Sequence, residues 1–340
     1  MHDIVRRSAA AAFLFTLATG THAASFDCKS AKTPIERSIC GSPKLSALDE
    51  RLAAEYERAL HALSPAGAAR LKESQRSWLR FATAVCVPRK SIEHGESPAS
   101  CLEAQFGQRL QQLAQAGVRL GPYVFNRIDS YAVRRSHDGD DSGYNNGFIT
   151  RHVGYPWIDA PTTSAATAWN AQQPQEPASV DAEDDTDQDV DVTLGCVGAA
   201  FISVEKISSE YAHGSPHGVF EREKHNEVLA PERRDMTEDD VFAEASGWEE
   251  KLPTLFWNVY LSRDRRNEDR HEVERAIREA AAEPASWLLT PAGLQISFGA
   301  YEAGCYACNP GPITLPWSTL KPLLASPDVA ACKAPPAAKP

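Results

Sequence analysis

The chain contains eight cysteines, and a set of this size and even number constrains the fold more than any other feature of the sequence. In an oxidising compartment, an even set of cysteines predicts disulfide bonds rather than free thiols. The eight are Cys28, Cys40, Cys86, Cys101, Cys196, Cys305, Cys308 and Cys332. We therefore expect all of them to be bridged, in a fold that needs neither a metal ion nor a cofactor.

The N-terminus indicates export to such a compartment. Arg6 and Arg7 precede an apolar run at residues 9–18, and Ala23 ends a small-residue pattern typical of a secretory signal peptide cleaved before Ala24. The apolar run is shorter than the ~20 residues that span a bilayer. We expect a periplasmic or secreted protein that is soluble after cleavage and does not span the membrane.

Charge is divided unevenly along the chain. Residues 24–118 carry 13 basic and 10 acidic side chains, a net charge of +3, whereas residues 119–340 carry 20 basic and 35 acidic side chains, a net charge of −15. An acidic surface repels nucleic acid and anionic lipid, and it steers a cationic partner over a Debye length of ~10 Å. We therefore expect a basic partner and no nucleic acid.

Four Ser/Thr-Pro pairs mark helix starts in the N-terminal part of the chain. A hydroxyl at the N-cap accepts a hydrogen bond from a backbone N–H that has no helical partner, and proline at the first helical position sacrifices no bond. The pairs are Thr33-Pro34, Ser42-Pro43, Ser64-Pro65 and Ser97-Pro98. With apolar residues recurring three and four positions apart, they predict an all-α, disulfide-stapled four-helix domain over residues 24–117.

Cysteine positions within this domain favour local pairing. Cys28 and Cys40 flank the first predicted helix, and Cys86 and Cys101 lie across the turn between the third and fourth. The pairs Cys28–Cys40 and Cys86–Cys101 close short loops, although four cysteines allow three pairings in total.

After Gly117 the pattern mixes strands and helices, which predicts an α+β domain over residues 118–325. The acid-rich segment at residues 181–191 is expected to be a solvated loop. The Pro/Ala-rich tail at residues 326–340 is expected to be disordered. Strands are predicted at residues 123–133, 192–204 and 313–317, a hairpin at 287–298 and a charged helix at 268–283.

Several residue blocks in the helical part share the order and spacing of a known family. They are Phe26-Asp27-Cys28, Thr33-Pro34-Ile35-Glu36-Arg37-Ser38-Ile39-Cys40, Leu45, Leu48-Asp49, Tyr56, Gln75-Arg76-Ser77-Trp78-Leu79, Cys86, Cys101-Leu102 and Arg109-Leu110. On these blocks, residues 26–113 resemble the LprI-like lysozyme-inhibitor N-terminal domain family. The resemblance implies an exported helical module and, more loosely, inhibition of lysozyme.

The second domain shares blocks with another family over about residues 120–325. They are Tyr155-Pro156, Asn170, Phe201-Ile202-Ser203-Val204, Gly214-Ser215-Pro216-His217-Gly218, the block from Met236 to Phe242, the block from Trp287 to Leu294, Phe298, Tyr301-Glu302-Ala303-Gly304, Tyr306-Ala307 and the block from Leu315 to Pro322. This part resembles the C-terminal domain of RsiV-type anti-sigma factors and of accessory regions in peptidoglycan deacetylases. The resemblance implies an extracytoplasmic domain that recognises lysozyme. The cysteines at positions 305 and 308 depart from the family pattern.

Cys305-Tyr-Ala-Cys308 is a CxxC motif with three interpretations. A redox site needs the first thiol at a helix N-terminus, and the Pro310 and Pro312 that follow disfavour a helix. A zinc site would need further ligands, such as His213, His217 or Cys196. We favour structural bridges with partners among Cys196 and Cys332.

The segment from His213 to His217 encloses a Gly-Ser-Pro turn. Two histidines on a turn could bind metal or transfer protons, and Ser215 beside them suggests a hydrolase, but no Gly-x-Ser-x-Gly nucleophile motif accompanies it. We favour a histidine that stabilises the turn by a hydrogen bond.

Four side chains are candidates for contact with a partner: Tyr301, Glu302, Tyr306 and His217. An acid flanked by aromatic residues in a glycine-containing loop suits an arginine-rich surface. The sequence therefore predicts a non-enzymatic binding protein that occludes lysozyme or another cationic wall-active protein. The alternatives are a peptidoglycan-binding accessory module and a metal-assisted hydrolase.

Overall fold

The computed structural model describes residues 24–87, 97–136, 147–263 and 270–336, so the predicted signal peptide lies outside the described residues. The fold is an N-terminal helical region followed by a region of mixed sheet and helix, as predicted. In the described part of the chain, no helix is long and apolar enough to cross a membrane.

The helical region begins each of its α-helices at one of the Ser/Thr-Pro pairs. The helices are α1 (Pro34–Gly41), α2 (Pro43–Ala62), α3 (Pro65–Cys86) and α4 (Pro98–Leu113). In each, the preceding Ser or Thr accepts a hydrogen bond from the backbone N–H at the third helical position. The apolar faces meet in one core, where Trp78 packs edge-on against Phe106 with ring centroids 5.1 Å apart.

A seven-stranded sheet follows, with its strands in sequence order. They are β1 (Val118–Leu120), β2 (Tyr123–Arg135), β3 (Phe148–Ile158), β4 (Thr186–Val197), β5 (Phe201–Ala212), β6 (Val219–Val228) and β7 (Arg234–Asp235). Neighbours pair antiparallel except β3 and β4, which pair parallel across a connection that contains helix α5 (Ser164–Gln172).

A C-terminal layer packs against this sheet. It comprises α6 (Trp248–Leu261), α7 (Arg270–Ala282), β8 (Trp287–Thr290), β9 (Gly293–Ile296), β10 (Ile313–Pro316) and the short α8 (Trp317–Leu320). The predicted hairpin is therefore present as β8 and β9, and β10 extends it to a three-stranded sheet. Trp248 and Trp287 pack edge-on at 5.4 Å at the centre of an apolar core.

All eight cysteines are bridged. The helical region contains the predicted pairs Cys28–Cys40 and Cys86–Cys101. Elsewhere Cys196 pairs with Cys332 and Cys305 pairs with Cys308, so the CxxC motif closes on itself rather than on distant partners.

The prediction of a disordered tail is wrong for the first part of residues 326–340. A 3-10 helix spans Pro327–Ala331, and Val329 is buried in the apolar core. Lys333 exchanges backbone hydrogen bonds with Val197. The reason is the bridge from Cys332 to Cys196, which fixes this segment against β4. Residues 337–340 lie outside the described part.

The acid-rich segment at residues 181–191 also differs from its predicted form, because strand β4 begins at Thr186. Asp187, Asp189 and Asp191 occupy alternate positions, so their side chains project from one face of the strand. Each lies within 4 Å of a basic side chain from another strand or turn, namely His213, His152 and Arg127. We call these three carboxylates the acidic ladder. Strand pairing therefore replaces the predicted loop at residues 186–191, whereas residues 181–185 lie outside any strand and Asp181, Glu183 and Asp185 are exposed, as predicted.

Candidate functional site

A cleft of about 570 Å³ opens where the helical region, the long sheet and the Cys305–Cys308 loop converge. Helices α3 and α4 supply one wall, strands β2 to β5 the floor, and the β5–β6 turn with Tyr306 the opposite wall. The lining residues that bear on its chemistry are Phe81, Tyr131, His152, Asp187, Asp189, Glu210, His217, Phe220 and Tyr306.

The carboxylates on the floor of the cleft differ in how fully they are bonded. Asp187 is buried and accepts hydrogen bonds from the backbone N–H and the hydroxyl of Thr150 at 2.7 and 2.8 Å, while His213 Nε2 lies 3.0 Å away. The side chain of Asp189 is 49% exposed. Glu210 is exposed and accepts from Gln188 at 3.3 Å, and these two side chains lie on the opposite face of the sheet, because Asp189 is paired with Ser209 and Glu210 with Gln188. Negative charge in the cleft is thus most accessible at Asp189.

His152 lies under this floor, 7% exposed, with its ring stacked on Tyr131 at 4.5 Å. Its Nε2 is 3.2 Å from Asp129 Oδ1. Its Nδ1 is 3.4 Å from Asp189 Oδ2, close enough for charge attraction, but it has no hydrogen-bond partner. Burial alone would lower the pKa of His152, but the two carboxylates outweigh it and raise the pKa to about 9. The ring is therefore a cation at neutral pH.

Asp129 joins the helical region to the sheet beneath the cleft. Its carboxylate is 2.9 Å from Arg109 Nη1 of helix α4 and 2.8 Å from Arg127 Nη2 of its own strand, and all three side chains are buried. Arg127 also reaches Asp191 at 2.5 Å. Burial would raise the pKa of Asp129, but Arg127, His152 and Arg109 hold it well below its usual range.

Neutral polar groups complete this joint. The guanidinium of Arg109 donates to Gln75 Oε1 and to Ser74 Oγ, both at 3.0 Å, and to Gln112 Oε1 at 3.1 Å. The hydroxyl of Ser77 donates to the backbone oxygen of Tyr131 at 3.1 Å. We call the ion pairs and these hydrogen bonds the polar joint. It fixes the helical wall of the cleft relative to the floor.

Aromatic side chains form the wall opposite the helices. The ring of His217 stacks on Tyr306 with centroids 4.4 Å apart, and its Nε2 is 3.0 Å from the hydroxyl of Tyr301. Tyr301 is 53% exposed and has a left-handed backbone with φ of 66°, an arrangement that costs energy in a residue other than glycine. The Cys305–Cys308 bridge spans the 3-10 turn that carries Tyr306.

The structure therefore brings together three of the four side chains predicted to contact a partner: His217, Tyr301 and Tyr306. Glu302 lies in the same loop, but its carboxylate accepts a hydrogen bond from the Gly299 N–H at 2.6 Å and so stabilises the loop itself. His213, proposed as a possible metal ligand, bonds to Asp187 instead. Among the described residues, no group of His, Cys, Asp or Glu side chains is arranged to hold a metal ion.

The sequence analysis did not predict the polar joint or the acidic ladder, although Gln75, Ser77 and Arg109 of the polar joint belong to the family blocks named above. A signal was present, because Arg127 and Asp129 lie two residues apart, and so on one face, within a strand pattern that includes Phe125, Ile128 and Tyr131. Charged side chains at such positions are buried only when they are paired. Strict alternation at Asp187, Asp189 and Asp191 likewise indicates a strand rather than a loop.

Comparison with known proteins finds a family match for the helical region and two solved structures similar to a larger part of the chain. Residues 27–113 match the family model described as "Lysozyme inhibitor LprI". A solved member of the DUF3298 family from Bacteroides fragilis is 15% identical, with the match covering 62% of this chain and 96% of that one at a TM-score of 0.44. A DUF3298 family protein from Pseudomonas aeruginosa is 13% identical, with coverages of 61% and 96% and a TM-score of 0.37. No curated protein matches this chain.

Proposed function

We propose that this chain is an extracytoplasmic binding protein that inhibits lysozyme, or a similar basic wall-active protein, by occluding it. The observation that carries the proposal is the match of residues 27–113 to the lysozyme-inhibitor family model. Four disulfide bonds fit an oxidising compartment, as the predicted signal peptide requires. The net charge of −15 over residues 119–340 would steer a basic partner.

The loop that carries Tyr301 and Tyr306 is our candidate for the contact surface. Both tyrosines are among the few large apolar side chains that are exposed, at 53% and 37%. Exposed, well-anchored aromatic residues commonly dominate binding energy at protein interfaces. Contacts with His217 and the Cys305–Cys308 bridge hold this loop in place before binding, which reduces the entropy lost on association.

Inhibition assays on the mature protein test this proposal. The protein without residues 1–23 is mixed with lysozymes of several structural classes, and the lysis of bacterial walls is followed at low and high salt. We expect inhibition that weakens as salt rises, because screening reduces steering by exposed charges. Absence of both binding and inhibition at about 10 μM protein in low salt would refute the proposal. Sedimentation with purified sacculi asks separately whether the protein binds peptidoglycan.

Paired variants locate the contact surface. In Tyr301→Asn the aromatic ring is removed, and asparagine tolerates the left-handed backbone at that position. Leu261→Ala is the matched control, since Leu261 is 44% exposed at the end of helix α6, outside the loop. We expect inhibition to weaken about tenfold or more in the first variant and to stay unchanged in the control. Equal inhibition by both variants would exclude this loop as the contact.

A further inference from the structure

We propose that the cleft binds a neutral oligosaccharide, whose sugar rings pack on the aromatic side chains of its walls and whose hydroxyl groups donate to Asp189 on its floor. This site goes beyond the inhibition of lysozyme proposed above and does not depend on it. The ligand is identified by its chemistry, which is uncharged, rich in hydroxyl groups and elongated.

Strand register gives the cleft a continuous floor. Five side chains form one row across strands β2 to β6, each paired in register with the next: Tyr131, His152, Asp189, Ser209 and Phe220. Side chains at paired positions project from the same face of a sheet. Since neighbouring strands are about 4.8 Å apart, the row extends over about 19 Å. A floor of this length, in a cleft of about 570 Å³, suits an elongated ligand.

The charges beneath this floor are balanced, which favours a neutral ligand. Three cationic and three anionic side chains form one network, in which each lies within 4 Å of an opposite charge: Arg109, Arg127, His152, Asp129, Asp189 and Asp191. Because His152 balances the charge of Asp189, this half-exposed carboxylate needs no further cation. It can still accept hydrogen bonds from hydroxyl groups, and bonds to a charged acceptor are short and strong.

The other charged groups of the lining are directed elsewhere. Asp187 lies 3.0 Å from His213 Nε2, to which it is bonded. Arg151 and Glu210 project from the opposite face of the sheet, because both are paired in register with Gln188. Among the described residues, Arg151 is the only arginine or lysine that lines the cleft. These groups therefore favour neither an anionic nor a cationic ligand.

Aromatic side chains at both ends of the row provide stacking surfaces. Phe81 of helix α3 lies over Tyr131 with ring centroids 5.0 Å apart, and Tyr306 lies edge-on to Phe220 at 6.2 Å. The side chains of Phe81, Phe220 and Tyr306 are each at least partly exposed. The C–H groups on the face of a sugar ring carry a slight positive charge, so they pack on the negative face of an aromatic ring. Each wall can therefore hold a sugar ring.

Three neutral polar side chains between these rings have hydrogen-bonding capacity left over. Gln105 and Gln108 lie three residues apart on one face of helix α4, and Ser209 is next to Asp189 in the row. The amide oxygen of Gln105 has no partner, and neither Gln108 nor Ser209 makes a side-chain hydrogen bond within the described part of the chain. Amide and hydroxyl groups both donate and accept, so they can pair with sugar hydroxyl groups in either direction.

Nuclear magnetic resonance of the Tyr306 and Phe220 rings tests this assignment on the mature protein. The probes are neutral linear tetrasaccharides of glucose and of N-acetylglucosamine, the cationic tetramer of glucosamine, and the neutral peptide acetyl-tetraglycine amide, each raised to about 10 mM. We expect a saturable shift with at least one neutral tetrasaccharide, and the tighter of the two shows whether acetamido groups are recognised. The proposal is overturned if neither neutral sugar binds, or if the glucosamine tetramer or the peptide binds as tightly.

Variants of the walls distinguish the cleft from another binding surface. Tyr306→Ala should weaken the sugar about tenfold, because it removes a stacking ring, and Gln108→Ala about fivefold, because it removes hydrogen bonds. Gln111→Ala is the matched control, since it removes the same side chain from an exposed position of the same helix outside the cleft. Thermal unfolding of each variant checks that it is folded. Affinity that is the same in Tyr306→Ala, Gln108→Ala and Gln111→Ala would place the sugar elsewhere and refute the site.

The result is separable from the test of the proposed function. If the protein inhibits lysozyme but binds neither neutral tetrasaccharide, the saccharide site fails and the function stands. If it binds a neutral tetrasaccharide in the cleft but inhibits no lysozyme, the function fails and the saccharide site stands.

Discussion

The long sheet is held by two joints that differ in the charges they bury. Towards the helical region it packs Tyr131 and Phe148 on the helices, and it also presents Asp129, which joins Arg109 and Arg127 in a buried cluster of charges. Towards the C-terminal layer it contributes to a core of tryptophan, phenylalanine and leucine side chains. A few hydrogen bonds cross that second joint, such as Lys224 Nζ to the Ser297 oxygen at 2.7 Å.

The two joints differ in how strictly they set the position of the elements they connect. Apolar packing is non-directional and tolerates small shifts, whereas a buried ion cluster is stable only when every charge has its partners in place. The polar joint therefore specifies one orientation of the helical region and responds to pH. We infer that orientation matters there because one wall of the cleft belongs to the helices and the floor to the sheet.

The largest effect is expected at the centre of the polar joint. Asp129→Asn keeps the shape of the side chain but leaves Arg109 and Arg127 without their common counter-charge. We expect the free energy of unfolding to fall by about 3–5 kcal/mol, measured by urea denaturation. Asp191→Asn is the control, because its partly exposed side chain can be replaced by water. A loss below about 1 kcal/mol in Asp129→Asn would contradict the role given to the cluster.

A cavity in the apolar core between the long sheet and the C-terminal layer is expected to lower stability by the same amount at every pH. Leu252 of helix α6 is fully buried, and Leu252→Ala should lower the free energy of unfolding by about 2–5 kcal/mol. The loss should be the same at pH 6 and pH 9, because no titrating group is touched. If the loss differed by more than about 1 kcal/mol between those values, the two joints would not be independent.

Alkaline pH should weaken the polar joint alone. The pKa of His152 rises from its ordinary 6.5 to about 9 on folding, so its contribution to stability is full below pH 6.5 and is lost as pH rises through 9. We expect the free energy of unfolding to decrease by up to about 3 kcal/mol across that window. Urea denaturation at each pH measures the decrease. His152→Gln should remove the decrease, whereas Leu252→Ala should retain it. The same slope in His152→Gln would show that another group is responsible.

The smallest effect is expected one residue away from the polar joint. Arg76 pairs with Glu73 at the surface, with both side chains about 60% exposed, so Arg76→Ala should change stability by no more than about 0.5 kcal/mol. Its neighbour Gln75 accepts from buried Arg109, and Gln75→Ala should cost about 1–3 kcal/mol. Thermal unfolding of the two variants measures the contrast, and equal effects would contradict it.

Structural features could be predicted from the sequence when the residues that form them are close together in the chain, and were missed when those residues are far apart. Helix starts at Thr33, Ser42, Ser64 and Ser97 were predictable because a cap and its helix lie within four residues. The first half of strand β4 was missed because a run of acids indicates solvent unless its alternation is weighed against it. The strand predicted at residues 192–204 is wrong as a single element, because it comprises the end of β4, a turn at residues 198–200 and the start of β5. The tail was missed because its order depends on Cys332 meeting Cys196, which lies 136 residues away.

The candidate site shows the same division. Tyr301, Glu302 and Tyr306 could be predicted to share one loop because they are close together in the chain, and their contact with a partner stays a prediction. The neighbouring imidazole and carboxylate of the cleft were not predicted, since His152 and Asp189 come from different strands.

The capped helices, the mixed α+β region that follows them and the bridging of the cysteines could all be predicted from the amino-acid sequence. Helix caps and hydrophobic periodicity depend on neighbouring residues, and the even number of thiols can be counted without a structure. Which charges are buried together and where a cleft opens depend instead on the tertiary fold. Strand register sets both, since it places Asp129, His152 and Asp189 on neighbouring strands, side by side. The two carboxylates then raise the pKa of the His152 imidazole above its value in water.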